Sequence, residues 1–316
     1  MQLLKNSAEG FICDGISVVR LTVPPLFDIN KIFDCGQSFR FDRVENSAHE
    51  VEFAGVAHGK YVSFATDGDT LYIYNSTLDE YENIWKSYLS LDVDYEKINK
   101  NILSLSSNVD LAAAVKLSGG IRILKQDEWE ALCSFIISQN NNIPRIKKLV
   151  AALSYACCGD EDLAHGMEAH TPSSHREISG NFSRFPTPEE VLSLGVEGLK
   201  NLKMGFRAKY IYDAAEKVAG GEINLYSVKD FSTTSEAASE LCKISGVGPK
   251  VAACALLFGF NRLDAFPVDV WIKRVIEKYF DAGFSPDDLG KYAGVAQQYL
   301  FYYERYLDGD KNSKGE

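Results

Sequence analysis

Residues 241–280, LCKISGVGPKVAACALLFGFNRLDAFPVDVWIKRVIEKYF, restrict the fold more than any other stretch. They hold two helix starts, each entered through a turn. In the first, Gly246-Val247-Gly248-Pro249 runs into Lys250 and the apolar VAACALLF. Proline suits the first helical position, where its missing N–H would have had no partner. Gly248 is therefore expected as N-cap, with Lys250 in the first turn. In the second, Phe266-Pro267-Val268 runs into Asp269, and apolar residues follow at 272, 275, 276, 279 and 280. That spacing is helical, with Asp269 as N-cap. A lysine in a first turn is unusual, because the positive end of the helix dipole opposes its charge. The placement favours the neutral amine, which is the nucleophilic form.

At 316 residues the chain is long enough for a large core and two or more domains. The opening MQLLKNSAEGFICDG lacks the apolar run of a signal peptide, and no stretch approaches membrane-span length. The expected location is the cytoplasm, with the nucleoid, in a prokaryote and the nucleus in a eukaryote. Seven scattered cysteines (13, 35, 133, 157, 158, 242, 254) read as free thiols in a reducing compartment. A net charge of −11 argues against nucleic acid as a partner. The charge is unevenly spread, however. Residues 1–110 carry 9 Lys and Arg against 17 Asp and Glu, and 159–200 carry 3 against 8. Residues 111–158 and 201–316 together hold 21 against 19, so this near-neutral part can still present a basic face.

Short runs of strand type occupy the first 75 residues: 16–23, 38–41, 51–56, 61–65 and 71–74, with turns at 58–60 and 67–69. They predict an antiparallel meander with one face covered. From Leu78 the period turns helical, and helices are expected at 79–89, 94–104, 109–116, 127–138, 143–156, 188–194, 207–218, 234–243, 249–258, 269–280 and 287–306. Thr187-Pro188-Glu189-Glu190 is a helix start with cap, N1 proline and N3 glutamate. Residues 159–184 lack periodicity and read as an exposed loop, and 309–316 as a disordered tail. The fold class is α+β: an N-terminal antiparallel sheet domain with helices (1–118) packed on a predominantly helical domain (119–308).

Residues 241–250 have the form of a helix-hairpin-helix, in which Gly246, Val247 and Gly248 expose N–H groups beside a helix N-terminus. Such a turn holds a phosphate readily, although a plain helix–helix turn reads equally well. The proline-fixed Asp269, nineteen residues after Lys250, adds specificity. Together these motifs resemble the helix-hairpin-helix, Gly/Pro-rich loop and aspartate signature of the base-excision DNA glycosylases related to endonuclease III. Within that superfamily the chain is similar to the 8-oxoguanine DNA glycosylase/AP lyases. The resemblance also runs through GQSFR (36–40), FIISQNNNIPRI (135–146), MGFRAKY (204–210) and AQQYLF (296–301).

The resemblance implies roles for the matching residues. Lys250 would attack C1′ of the damaged nucleotide and form a Schiff base, from which elimination cleaves the strand. Asp269 would stabilise positive charge on the sugar. The Gly36 carbonyl would accept from the N7 hydrogen that distinguishes 8-oxoguanine from guanine. Phe301 and Cys254 would sandwich the flipped base, and Gln297 would read its Watson–Crick edge. Asn140, Arg145 and Arg207 would contact the orphaned cytosine, with Phe206 as a wedge. The neighbouring Lys147, Lys148, Lys203 and Lys209 could add phosphate contacts, although exposed lysines are common anywhere. Without the resemblance, Phe301 reads as core, Gln297 as surface and Gly36 as a strand-entry turn. The implied partner is double-stranded DNA containing 8-oxoguanine, acted on by a monomer with no cofactor and no membrane contact. The alternatives are a glycosylase for another lesion, such as an alkylated purine, and a noncatalytic DNA-binding hairpin.

Three positions depart from the pattern. Ala253 stands where the family often has aspartate, Trp271 where eukaryotic enzymes commonly have histidine, and Phe206 replaces a tyrosine. Cys157-Cys158 with His165, His170 and His175 matches no zinc spacing and is set aside as a metal site. No cysteine follows Cys254, so the four-cysteine iron–sulfur cluster of some relatives is not expected.

Overall fold

The structure, a computed structural model, describes residues 8–159 and 183–314, excluding the side chains of 308–314. The histidines of the discarded metal reading, and residues 160–182 of the aperiodic segment, lie outside the described residues.

Strands β1 (Glu9–Cys13) and β2 (Ile16–Thr22) form a hairpin, and α1 (Ile29–Asp34) follows. Then come β3 (Phe41–Arg43), β4 (Val51–Ala57), β5 (Lys60–Asp67) and β6 (Thr70–Tyr74). All six make one antiparallel sheet in the order β1-β2-β6-β5-β4-β3. The β4–β5 turn consists of His58 and Gly59, at φ 50° and 71°, the paired positive values of a two-residue hairpin. Alternation puts Val19, Leu21, Val62, Phe64, Leu71 and Ile73 on one face, against Phe33, Trp85 and Tyr88.

The sheet differs from expectation in three ways. Its other face is not simply solvated: Val44, Ala54, Val56 and Tyr61 form a small cluster there. On the same sheet, His49 bridges Asp67 and Tyr74 at 2.6 Å each. Pairing of the third strand begins only at Phe41, because residues 38–40 cross over β4. A Cβ on Gly55 would lie 2.1 Å from the Arg40 carbonyl, so glycine is required at this crossing. Finally, β1 and α1 were not foreseen. β1 is an exposed edge strand without alternation, and α1 is a six-residue helix capped by Asp28, too short to show a period.

A helical passage closes the sheet core: α2 (Leu78–Glu80), a π-helical turn (Tyr81–Trp85) and α3 (Lys86–Tyr88). The helical part consists of α4 (Tyr95–Leu105), α5 (Val109–Ser118), α6 (Glu128–Ser138), α7 (Ile143–Cys158) and α8 (Pro188–Asn201). It continues through α9 (Arg207–Ala219), α10 (Leu225–Val228), α11 (Thr234–Leu241), α12 (Pro249–Phe258) and α13 (Val270–Tyr279). A 3-10 turn at Pro286–Tyr292 leads into α14 (Ala293–Lys314). Residues 309–314, expected in a disordered tail, continue this helix; they contain one glycine and no proline to end it. Helices α4 and α5, which precede the expected boundary at 118/119, bury their apolar faces in the helical core. Ser118 and Asn99 tie them to Tyr299 of α14.

Two buried polar residues lock the sheet to the helices. Arg122, 1% exposed, donates to the carbonyls of Leu26 (3.0 Å), Ser90 (2.5 Å), Val93 (3.1 Å) and Pro25 (2.8 Å). Its guanidinium also lies 4.6 Å from the Tyr95 ring centre. Gln37 donates to the carbonyls of Ile32 (3.0 Å) and Arg122 (2.9 Å) and accepts from Leu124 N–H at 2.9 Å. Replacing Arg122 by methionine leaves four inward carbonyls without donors. We expect a loss of about 3 kcal/mol or more, read as a lower urea midpoint. A loss below about 1 kcal/mol would show that the lock is dispensable.

Candidate active site

The turn before α12 is shaped by its glycines. Gly246 has φ +77°, and the Tyr210 ring lies where a side chain would project, 2.3 Å from an added Cβ. Val247 is buried, with its N–H on the Ile244 carbonyl at 3.0 Å. Gly248 is the N-cap in extended conformation, Pro249 occupies N1, and Lys250 sits in the first turn as the sequence implies. Asp269 caps α13: its Oδ1 accepts from Ile272 N–H at 2.8 Å, which fixes the carboxylate.

Both residues line one small pocket of about 80 Å³. Gly36, Cys254, Gln297 and Phe301, the other residues assigned to a base pocket, line it too. Four distant parts of the chain thus meet: the end of α1, the middle of α6, the α12–α13 unit and α14. A larger groove of about 570 Å³, between His58, Lys125, Lys229 and Phe260, shares no residue with this pocket.

Gly36 has φ +78°, a conformation that favours glycine. Its place is set from both sides. Gln37 is anchored as described, and Gln298 Nε2 donates to the Cys35 carbonyl at 2.6 Å. Among the described residues no donor reaches the Gly36 carbonyl, so it is available to the pocket. Burial pushes the Cys254 thiol up to about 11, against the opposing influence of Lys250, so it is a neutral packing surface. Gln297, which the resemblance assigns to the base and which would otherwise read as surface, is only 5% exposed, and its Oε1 is buried with no hydrogen-bond partner. A buried acceptor without a donor is destabilising. Gln297 lines the pocket with this acceptor unpaired.

The sequence reading did not assign five residues that line the pocket: Cys35, Phe135, Phe258, Pro267 and Gln298. Phe135 stacks on Phe258 at 5.2 Å and meets Phe39 edge-on at 5.7 Å, with Lys250 Nζ 5.9 Å above its ring. Nothing separated Phe135 and Phe258 from core residues, because α6 and α12 are apolar nearly all round. Gln298 did carry a signal: a glutamine pair inside a buried helix must find partners.

The residues assigned to the opposite strand form a second group, which does not line the pocket. Asn140 (φ 47°) lies in the α6–α7 turn, and Arg145 is exposed on the first turn of α7. Phe206 stands 48% exposed at the start of α9, edge-on to Tyr210. Arg207 was expected to face a base, but here it is buried. It donates to the carbonyls of Gln139 (2.8 Å), Asn140 (2.9 Å) and Met204 (3.4 Å) and stacks on Phe206 at 4.5 Å. Lys147, expected on phosphate, instead binds Asp42 and the Phe41 carbonyl, tying α7 to the sheet.

The orphaned acceptor makes a prediction that separates function from stability. Gln297→Met should leave the unfolding free energy, read from urea titration, unchanged or raise it, by up to about 1–2 kcal/mol. Gln37→Met, which breaks three buried hydrogen bonds, should lower it by several times that amount. Equal losses would mean that Gln297 is a structural residue.

Comparison with known proteins gives concordant matches. The family model described as 8-oxoguanine DNA glycosylase, N-terminal domain, matches residues 20–132. That of the HhH-GPD superfamily base excision DNA repair proteins matches residues 133–288. The N-glycosylase/DNA lyase of Saccharomyces cerevisiae is 32% identical over 212 residues, 64% of this chain and 52% of that protein. The chain therefore spans about half the length of this relative. The structure of MBOgg1 in complex with low affinity DNA ligand superposes with a TM-score of 0.82 at 38% identity, covering 96% of this chain and all of that one (100%). The 8-oxoguanine glycosylase/lyase of Clostridium acetobutylicum, in complex with double-stranded DNA containing cytosine opposite to 8-oxoG, gives a TM-score of 0.81 at 33% identity. It covers 96% of this chain and 99% of that one.

Proposed function

The chain belongs to the HhH-GPD superfamily of base excision DNA repair proteins, in the branch with the 8-oxoguanine DNA glycosylase N-terminal domain, and from that premise we propose that it excises 8-oxoguanine from duplex DNA and then cleaves the strand. The observation that carries this reading is the unpartnered Gln297 Oε1, held in one pocket with Lys250, Asp269 and the free Gly36 carbonyl.

A base inside a duplex cannot be reached, so the nucleotide rotates out of the stack into the pocket. Gln297 Oε1 then gains its missing donor from an N–H on the Watson–Crick edge of the base. The Gly36 carbonyl accepts from N7–H, which 8-oxoguanine has and guanine lacks. Guanine would aim an N7 lone pair at that carbonyl, leaving a buried acceptor repelled and unpaired. Cys254 and Phe301 close on the two faces of the base.

Lys250 supplies the nucleophile. Its Nζ lone pair attacks C1′, and the electrons of the breaking N-glycosidic bond leave with the base, which takes up a proton. The resulting amine adduct opens to a Schiff base. Loss of a C2′ proton then expels the 3′ phosphate by β-elimination. An amine is needed because water could release the base but could not form an imine. Asp269, its carboxylate pinned by the Ile272 N–H, stabilises the positive charge that builds on the sugar. On the opposite strand, Arg145 donates to cytosine, and Arg207 joins it by exchanging the 139–140 carbonyls that hold it for cytosine acceptors. Asn140 fills the vacated space, and Phe206 wedges the stack.

Borohydride trapping on duplexes with 8-oxoguanine opposite each base tests the whole scheme. We expect a covalent adduct, strongest opposite cytosine, that falls by at least about 10³-fold in Lys250→Gln. A wild-type protein giving neither adduct nor free base would end the enzyme reading. Arg145→Ala should flatten the preference for cytosine; an unchanged preference would remove Arg145 from opposite-base reading.

A further inference from the structure

Helix α14 carries Gln297 and Phe301 into the pocket, and the turn that follows them has no part in the proposed chemistry. Arg305 lies in that turn, four residues after Phe301 and so on the same side of the helix. Both side chains are half-buried, and the guanidinium carbon stands 5.8 Å from the centre of the Phe301 ring. Arg305 Nη1 also donates to the Asp34 carbonyl at 2.8 Å. Asp34 is the last residue of α1, and Gly36 lies two residues beyond it. Gln298, seven residues before Arg305, donates to the next carbonyl, that of Cys35, at 2.6 Å. Seven residues are close to two helical turns, so one stripe of α14 holds the last two carbonyls before Gly36. A six-residue helix leaves its final carbonyls without intrahelical donors, and a basic side chain at its C-terminus supplies one.

These contacts meet at the pocket wall. The edge of the Phe301 ring lies 3.9 Å from where a Cβ on Gly36 would stand. Arg305 holds both sides of that approach, the ring directly and the glycine through the end of α1. The geometry points to Arg305 as a positioning residue that sets the relation between the Phe301 ring and the Gly36 carbonyl. It does not touch the base. The ring must lie flat on a face of the base while the carbonyl lies in the plane of that base, so a small shift of either spoils the fit. The inference rests on the proposed reading, in which these two groups take one face of the flipped base and its N7–H. It adds the residue that keeps them in register.

Arg305→Met keeps the stem and removes the donor, whereas Arg305→Lys can still donate to the Asp34 carbonyl. Single-turnover excision of 8-oxoguanine at saturating protein should fall roughly tenfold in Arg305→Met and largely recover in Arg305→Lys. Affinity for a duplex bearing a tetrahydrofuran abasic-site analogue should stay at the wild-type value, because that duplex places no base between ring and carbonyl. The slope of log K against log salt on the same duplex should also be unchanged. A wild-type rate in Arg305→Met, or a lysine variant as slow as Arg305→Met, would overturn the positioning role. So would an equal loss of affinity for the abasic duplex, the mark of a merely structural residue. A slope lowered by about 0.9 would overturn it too, by making Arg305 a phosphate contact. The Lys250→Gln background, in which the nucleophile is gone, separates this inference from the reading beneath it. There, tighter binding of an 8-oxoguanine duplex than of a guanine duplex reports the pocket alone, and adding Arg305→Met should reduce that preference several-fold. No preference in Lys250→Gln itself sinks the pocket reading and this inference with it. A preference untouched by Arg305→Met sinks this inference alone.

Discussion

The contact on which the site depends is the hydrogen bond from Gln37 Nε2 to the Arg122 carbonyl, 2.9 Å long and fully buried. Gly36 can offer its carbonyl to the pocket only if the loop after α1 is rigid relative to α12 and α14, more than 200 residues away in sequence. Gln37 gives it that rigidity by joining α1, through Ile32, to the 122–124 strap. Arg122 in turn gathers the 25–26 and 90–93 loops around one guanidinium. A buried cation without a carboxylate is costly in a low-dielectric interior. Four carbonyl dipoles and the Tyr95 ring offset that cost, and removing any of them weakens the rest. The network is therefore cooperative, and it holds the pocket wall as one body.

Local chemistry made the catalytic pair legible. Pro249 at N1 and Gly248 as N-cap fix where α12 starts, and the Asp269 carboxylate caps α13 through its own neighbour, Ile272. Each feature is decided within four residues, so the sequence alone places it. The strands from Val51 to Tyr74 were legible for the same reason, since alternation and two-residue turns are local. Gln297 was not. Its burial depends on α14 lying against α5 and on the end of α1 closing over it, which no window of sequence contains. Arg207 misled in the opposite direction. Its type and block suggested a solvent-facing donor, but the carbonyls that hold it belong to Gln139 and Asn140, 67–68 residues earlier.

Three departures from ordinary folding rules meet at the pocket. Lys250 opposes a helix dipole, Gly36 takes positive φ, and Gln297 buries an acceptor without a donor. None of these stabilises the fold, and each has a use on the proposed reading. On that reading the first turn of α12 places the attacking amine in the pocket, the glycine turns its carbonyl inward, and the orphaned acceptor is satisfied only when a base with a matching N–H arrives. The glutamine next in sequence shows the contrast. Gln298, about 100° further round α14, donates its amide N–H to the Cys35 carbonyl and so is held by the fold.

Arg207 presents a related economy on the opposite strand. Its guanidinium is satisfied by main-chain carbonyls of the 139–140 turn, so it can be buried without a carboxylate. Cytosine O2 and N3 are acceptors of the same kind. Exchanging one set for the other would leave the guanidinium no worse solvated, while freeing the 139–140 carbonyls to face water and letting Asn140, already at positive φ, swing into the gap. A base that presents donors at that edge would instead leave both Arg207 and the turn unpaired. On the proposed reading the opposite base would be read by whether Arg207 can leave the turn, and the exposed Phe206, stacked on that guanidinium at 4.5 Å, would move with it. Wedge and reader would then act as one unit, and the proposed preference for cytosine would be set by the competition between the 139–140 carbonyls and the base.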